Sequence, residues 1–127
     1  MMTTNELETF FDRGWNRHDV DLLMTFMAAD CVFESTAGPE VCGTRHAGRE
    51  RVRRAFARVF EVFPDARFAE ARHFVAGDRG VSEWTCVGTT PRGRQLRVRG
   101  CDLFEFRDGL IMRKDSYFKK IVRRDAS

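Results

Sequence analysis

No apolar run in this sequence approaches the roughly twenty residues needed to cross a bilayer, so neither a membrane helix nor a membrane partner is expected. Histidine is scarce, at three residues (His18, His46, His73), and the four cysteines (Cys31, Cys42, Cys86, Cys101) stand far apart with no CxxC pair. Neither set has the spacing of a zinc motif, which argues against a metal site. No cofactor fingerprint occurs either, and no cofactor is expected. The opening MMTTNELETFFDRGW is polar and acidic where a secretory leader would be basic and then apolar. With its four free thiols, the chain is expected in the reducing cytoplasm. Repeats, low-complexity tracts and linkers are missing too, and 127 residues fit one domain over 1–127 with no room for a second.

Tyrosine and tryptophan are sparse, at 1 and 2, against 12 phenylalanines. Phe buries a large area and carries no polar handle, so the interior is either a Phe-packed core or an apolar pocket. The formal charge is +3, from 22 basic and 19 acidic residues. Arg49, Arg51, Arg53, Arg54 and Arg58 cluster, yet no helix-turn-helix spacing or aromatic-basic platform accompanies them. They read as a solvated helix face, and no nucleic-acid partner is expected.

The first half reads as helix. Thr3 and Glu6 have capping-box spacing, and Leu7, Phe10, Phe11 and Trp15 then recur at helical steps. Asp19 is placed to cap a second helix with Val20, Leu23, Met24 and Met27 on its apolar face, closing at Asp30. A short strand over 31–35 precedes a loop with Gly38, Pro39 and Gly43. The third helix, 48–63, carries Val52, Ala55, Phe56, Val59, Phe60 and Phe63 on one stripe, and Pro64 ends it. Turn signals at 77–80, 90–93 and Asp108-Gly109 then cut the remainder into strands over 67–76, 81–89, 94–107 and 110–122. The fold class is α+β: three N-terminal helices on a curved, mostly antiparallel sheet of one short strand and a four-stranded meander, forming a cone.

The strings HDVDLLMTFMAADCVFE, AGRERVRRAF and GCDLFEFRDGLIMRKDSYFKK resemble the SnoaL-like, nuclear-transport-factor-like superfamily, over Asn5 to Lys120. That superfamily includes ketosteroid isomerase, limonene epoxide hydrolase and polyketide cyclases, and hosts binding and assembly modules as well. The positions matching the ketosteroid isomerase Tyr and two Asp hold Phe11, Ser35 and Val98, so that machinery is missing. Those matching the Arg and two Asp of limonene epoxide hydrolase hold Glu83, Thr85 and Lys119, which excludes that mechanism too.

The resemblance also implies which strand positions face the hollow: Glu83 and Thr85; Val98, Gly100 and Asp102; Asp115, Tyr117 and Lys119. A two-residue turn at Asp108-Gly109 would set Asp102 opposite Asp115, whereas a longer loop with a bulge would pair it with Lys114. Acids inside an apolar cone must be paired or neutralised, which makes Glu83, Asp102 and Lys119 the candidate catalytic group; a structural ion pair is the alternative. Trp15, Phe33, Phe56, Phe60, Thr85, Val98, Asp115 and Tyr117 are the candidate ligand contacts. The outer sheet face is expected to carry Trp84, Cys86, Arg97, Arg99, Cys101, Leu103 and Phe118 and to pair two copies as a homodimer. Three functions stay open: an acid-base enzyme on a small, largely apolar ligand, a binding module for such a ligand, and a protein-interaction domain using the sheet.

Overall fold

Thr3 caps the first helix, α1 (Thr4–Thr9), its Oγ1 accepting from the Glu6 amide at 3.1 Å as the capping-box spacing predicts. The structure, a computed structural model, describes residues 1–122. After Thr9 the helix widens into a π-helical turn over Phe10–Trp15. That turn buries Phe10, Phe11, Gly14 and Trp15 together. Gly14 lets the next helix approach closely, since a Cβ there would lie 2.4 Å from Leu23 Cδ2.

Asp19 caps α2 (Val20–Thr25), accepting from the Leu22 amide at 3.0 Å. This helix is shorter than the sequence suggests. Met27 to Asp30 open the first strand, β1 (Met27–Glu34), because Met27 pairs with Ile111 and the Phe26 carbonyl accepts from the Ile111 amide at 2.8 Å. The Gly-rich loop that follows returns as a short strand absent from the sequence expectation, β2 (Arg45–Ala47), antiparallel to β1.

The helix α3 (Arg49–Val62) has the expected stripe, but the sheet covers only part of it. Val52 and Phe56 are fully buried, while Ala55, Val59 and Phe60 are only partly so. An apolar stripe left half-covered marks an opening beside it.

The meander is β3 (Arg67–Ala76), β4 (Arg79–Thr89), β5 (Gln95–Arg107) and β6 (Leu110–Phe118). The last strand stops four residues short of the expected end at 122. The six strands lie in the order β2-β1-β6-β5-β4-β3, with β1 parallel to β6 and every other pair antiparallel. The curved sheet is not closed into a barrel: β2 and β3 are its free edges. Trp15 packs on Phe56 and Phe68, Phe10 on Phe104, and Phe33 on Phe56, so one Phe-rich core joins helices and sheet.

Within the meander, two bulges decide which side chains face that core. One lies in β3, between Ala69 and Arg72, where Glu70 has φ 56°. The other lies in β6 at Met112, since Phe106 pairs with Ile111 but Glu105 with Arg113.

Candidate functional site

Cross-strand pairs share a face, so the register places the interior. Asp102 pairs with Ser82 on one side and Ser116 on the other; Gly100 likewise pairs with Trp84 and Phe118. The helix-covered face is therefore built from Ser82, Trp84 and Cys86, from Val98, Gly100, Asp102 and Phe104, and from Lys114, Ser116 and Phe118. Gly100 is required there, because a Cβ would come within 2.6 Å of the Trp84 ring and 2.3 Å of the Tyr117 carbonyl oxygen.

Between this face and α3 lies an apolar hollow of about 700 Å³. Its walls include Trp15, Phe33, Val59, Phe68, Trp84 and Phe118. At its base stands Lys114, 4% exposed, with Nζ 3.0 Å from Asp102 Oδ1 and donating to Ser116 Oγ at 2.9 Å. Asp102 is wholly buried and accepts from Trp84 Nε1 at 3.0 Å and from the Ser116 hydroxyl. Nζ also sits 4.8 Å from the ring centres of Trp15 and Phe33 and 5.7 Å from that of Phe56. Aromatic faces attract a desolvated cation by about 2 kcal/mol, which offsets part of its burial cost.

Two further groups in the walls limit the chemistry. Burial, aided by the Asp102 charge, pushes the Cys86 thiol up to about 11, so little thiolate is present there at neutral pH. Trp15 Nε1 is the one buried side-chain polar atom without a hydrogen-bond partner among the described residues.

The structure separates the expected catalytic group. Asp102 faces the interior, but Glu83 lies on the opposite face, 3.9 Å from Arg99. Lys119 is exposed beyond β6, its amide donating to the Arg99 carbonyl at 2.9 Å. In β4 the Asp102–Ser82 pairing turns even-numbered positions inward, so Glu83 and Thr85 face out. In β6 the Met112 bulge does the same to Asp115 and Tyr117. Neither expected cross-strand partner of Asp102 is found; Ser116 is opposite, and Lys114 reaches across diagonally.

Of the expected ligand contacts, Trp15 and Phe33 line the hollow, while Phe56 is buried behind them and Phe60 packs against Trp15 and His18. Val98 is buried on the interior face, opposite Cys86. The composition of the outer face is corrected likewise: Trp84, Cys86 and Phe118 belong to the hollow, and only Arg97, Arg99, Cys101 and Leu103 of that set remain outside. Lys114, weighed only as a partner of Asp102 in a bulged register, was not among the expected site residues, and neither were Trp84, Ser116 and the α3 arginines at the mouth.

Outside the hollow a second polar group ties β1, β5 and β6 together. Arg113 binds Glu34, Glu105 at 3.5 Å and Asp115 at 3.0 Å, and the Tyr117 hydroxyl donates to Asp115 at 2.9 Å. Every member has a partner, so it is a strand-joining network. No group of acidic, His and Cys side chains suited to a metal ion occurs among the described residues, and no helix there is long and apolar enough to cross a membrane.

The model of the SnoaL-like domain family matches residues 7–114. Among solved structures, a candidate polyketide cyclase from Pseudomonas putida superposes with a TM-score of 0.82 at 18% identity, covering 94% of this chain and 92% of that one. A protein with a ketosteroid isomerase-like fold from Catenulispora acidiphila, in complex with trimethylamine, gives 0.76 at 22% identity over 91% and 86%. TerC, co-crystallised with polyporic acid, gives 0.73 at 23% identity over 89% and 88%. At such identities the superpositions establish the fold alone. No curated protein matches the chain in sequence.

Proposed function

The chain belongs to the SnoaL-like domain family, and on that premise we propose that it holds one small, largely apolar molecule in the hollow between α3 and the sheet, with a ligand oxygen on Lys114. The observation that carries this reading is the Lys114–Asp102 pair at the base of a hollow walled by Trp15, Phe33, Val59, Phe68, Trp84 and Phe118. A buried ion pair adds little stability over well-packed apolar residues of the same size, so its presence there favours a role toward a ligand. An ammonium has three donors; Asp102 and Ser116 take two, leaving one for the ligand. That two structures of this fold hold trimethylamine and polyporic acid supports an occupied hollow.

A carbonyl oxygen placed on Lys114 would be polarised, and negative charge developing on that oxygen would be stabilised by a preorganised charge. Lys114 is the donor, Asp102 and Ser116 are its positioning residues, and isomerisation, cyclisation, dehydration or hydrolysis of a carbonyl compound all fit that arrangement. The alternative is a binding module in which the same ammonium only orients the ligand. Lys114→Met separates the two, since an enzyme loses turnover while a module has none to lose.

The hollow itself is tested with the neutral fluorescent dye N-phenyl-1-naphthylamine. It should bind the protein, and Val59→Trp, which narrows the space between α3 and the sheet, should weaken binding; a dye that binds both proteins equally refutes the site. Homodimerisation through the outer face stands as a proposal on Phe74, Leu103 and Tyr117, large apolar side chains exposed there. Sedimentation showing a monomer at on the order of tens of micromolar removes it.

A further inference from the structure

Resting on the reading of the hollow as a ligand site, we infer that its ligand is an organic anion, an apolar body carrying a carboxylate or similar acidic group that meets Arg51 and Arg54 at the mouth. The residues lining the hollow include Arg45, Arg51, Arg54, Arg58, His46 and Lys114, and no Asp or Glu. In a chain with 19 acidic residues, a cleft bordered by four arginines and no carboxylate is a biased arrangement.

The arginines of α3 divide by function. Arg49 donates to the carbonyls of Met24 and Met27, both at 2.8 Å, and Arg53 pairs with Asp21; these two fasten the helix. Arg51, Arg54 and Arg58 follow at i, i+3 and i+7, on the side of the helix that carries Ala55 and Val59 to the hollow. Most of the charge around the hollow is answered: Lys114 by Asp102 at 3.0 Å, Arg45 by Glu34 at 3.4 Å, and Arg58 loosely by Glu61 at 4.0 Å. Arg51 and Arg54 have no carboxylate within 4.0 Å among the described residues. A solvated helix face explains exposed arginines, but it does not explain the exclusion of every acid from the rim they share with β2. Low-dielectric walls below such a rim focus its positive field and draw in anions. Lys114, neutralised by Asp102, then meets the ligand's neutral polar atom, while the rim holds its charge.

The test compares two dyes of one shape. N-phenyl-1-naphthylamine is neutral, and 8-anilinonaphthalene-1-sulfonate is the same body carrying a sulfonate. At low ionic strength the sulfonate should bind about tenfold more tightly, as expected for one or two partly exposed charge pairs. That advantage should shrink in about 0.5 M salt. Arg51→Gln/Arg54→Gln should remove most of it and leave the neutral dye unchanged; both positions are exposed, so the variant should fold. Equal affinity for both dyes, unmoved by the double substitution, overturns the inference and leaves the hollow intact as a site. Sulfonate binding that Val59→Trp leaves wholly undiminished lies elsewhere and also overturns it. If the neutral dye fails to bind at all, the ligand site falls and the inference with it.

Discussion

Lys114 Nζ and Asp102 Oδ1 lie 3.0 Å apart on neighbouring strands, offset diagonally, and both side chains are closed to solvent. Removing one partner leaves the other as an unpaired buried charge, whereas removing both does not. Lys114→Met should therefore cost about 3–5 kcal/mol in urea unfolding. Adding Asp102→Leu to it should recover part of that loss, with a coupling of at least about 1 kcal/mol. Strictly additive losses would show that the two side chains do not interact.

Gly100→Ala is expected to destabilise the protein by about 1–3 kcal/mol and to disturb the Trp84 indole, since its Cβ meets both the Tyr117 carbonyl and the Trp84 ring. Tryptophan fluorescence and the thermal midpoint together report this. Gly88→Ala is the comparison: its Cβ would lie 3.3 Å from Asp65 Oδ1, a milder crowding. Equal midpoints for the two variants would place Trp84 somewhere other than over Gly100.

The same glycine shows how far the sequence could be read. Helix α3 and the turns of the meander were legible because a 3.6-residue stripe and Gly-containing turns are local signals. Facing was less legible, because a one-residue slip exchanges the two sides of a strand. In β4 a clue existed: a Gly on one strand beside a Trp on the next marks where a large ring lies, and that alignment turns Trp84 inward. In β6 there was none: a bulge after the Asp108-Gly109 turn was one of two registers open, and nothing about Met112 selects it. Asp102 was placed inward by the resemblance, and its register against Ser82 and Ser116 keeps it there. β2 was missed because three residues after a Gly-rich loop carry no periodicity.

The outer network predicts an acid limb in stability. Burial works to raise the Glu34 pKa, but Arg113, Cys42 and Arg45 together bring it below the ordinary 4.5. A carboxyl with a depressed folded pKa contributes stability that is present above its unfolded value and lost as pH falls through the folded one. Urea midpoints should thus be level near neutrality and fall below about pH 4.5. Glu34→Gln should be less stable than the parent at pH 7 and closer to it at pH 3. A constant gap between the two proteins across that range would exclude Glu34 as a contributor.

The last expectation concerns Cys86, which lines the hollow yet is chemically silent. Burial first, and the nearby Asp102 charge second, raise its thiol to about 11, so the reactive thiolate is a trace species at pH 7.5. Cys42 and Cys101 are raised as well, but both are partly exposed and therefore accessible. Iodoacetamide at pH 7.5, followed by peptide mapping, should modify Cys42 and Cys101 slowly and Cys86 only when urea opens the fold. A disulfide-forming reagent should show the same order. Labelling of native Cys86 as fast as a free thiol would mean that the hollow is wet and that its wall carries a usable nucleophile. The assignment of Lys114 as the working group at its base would then have to be abandoned in favour of sulfur chemistry.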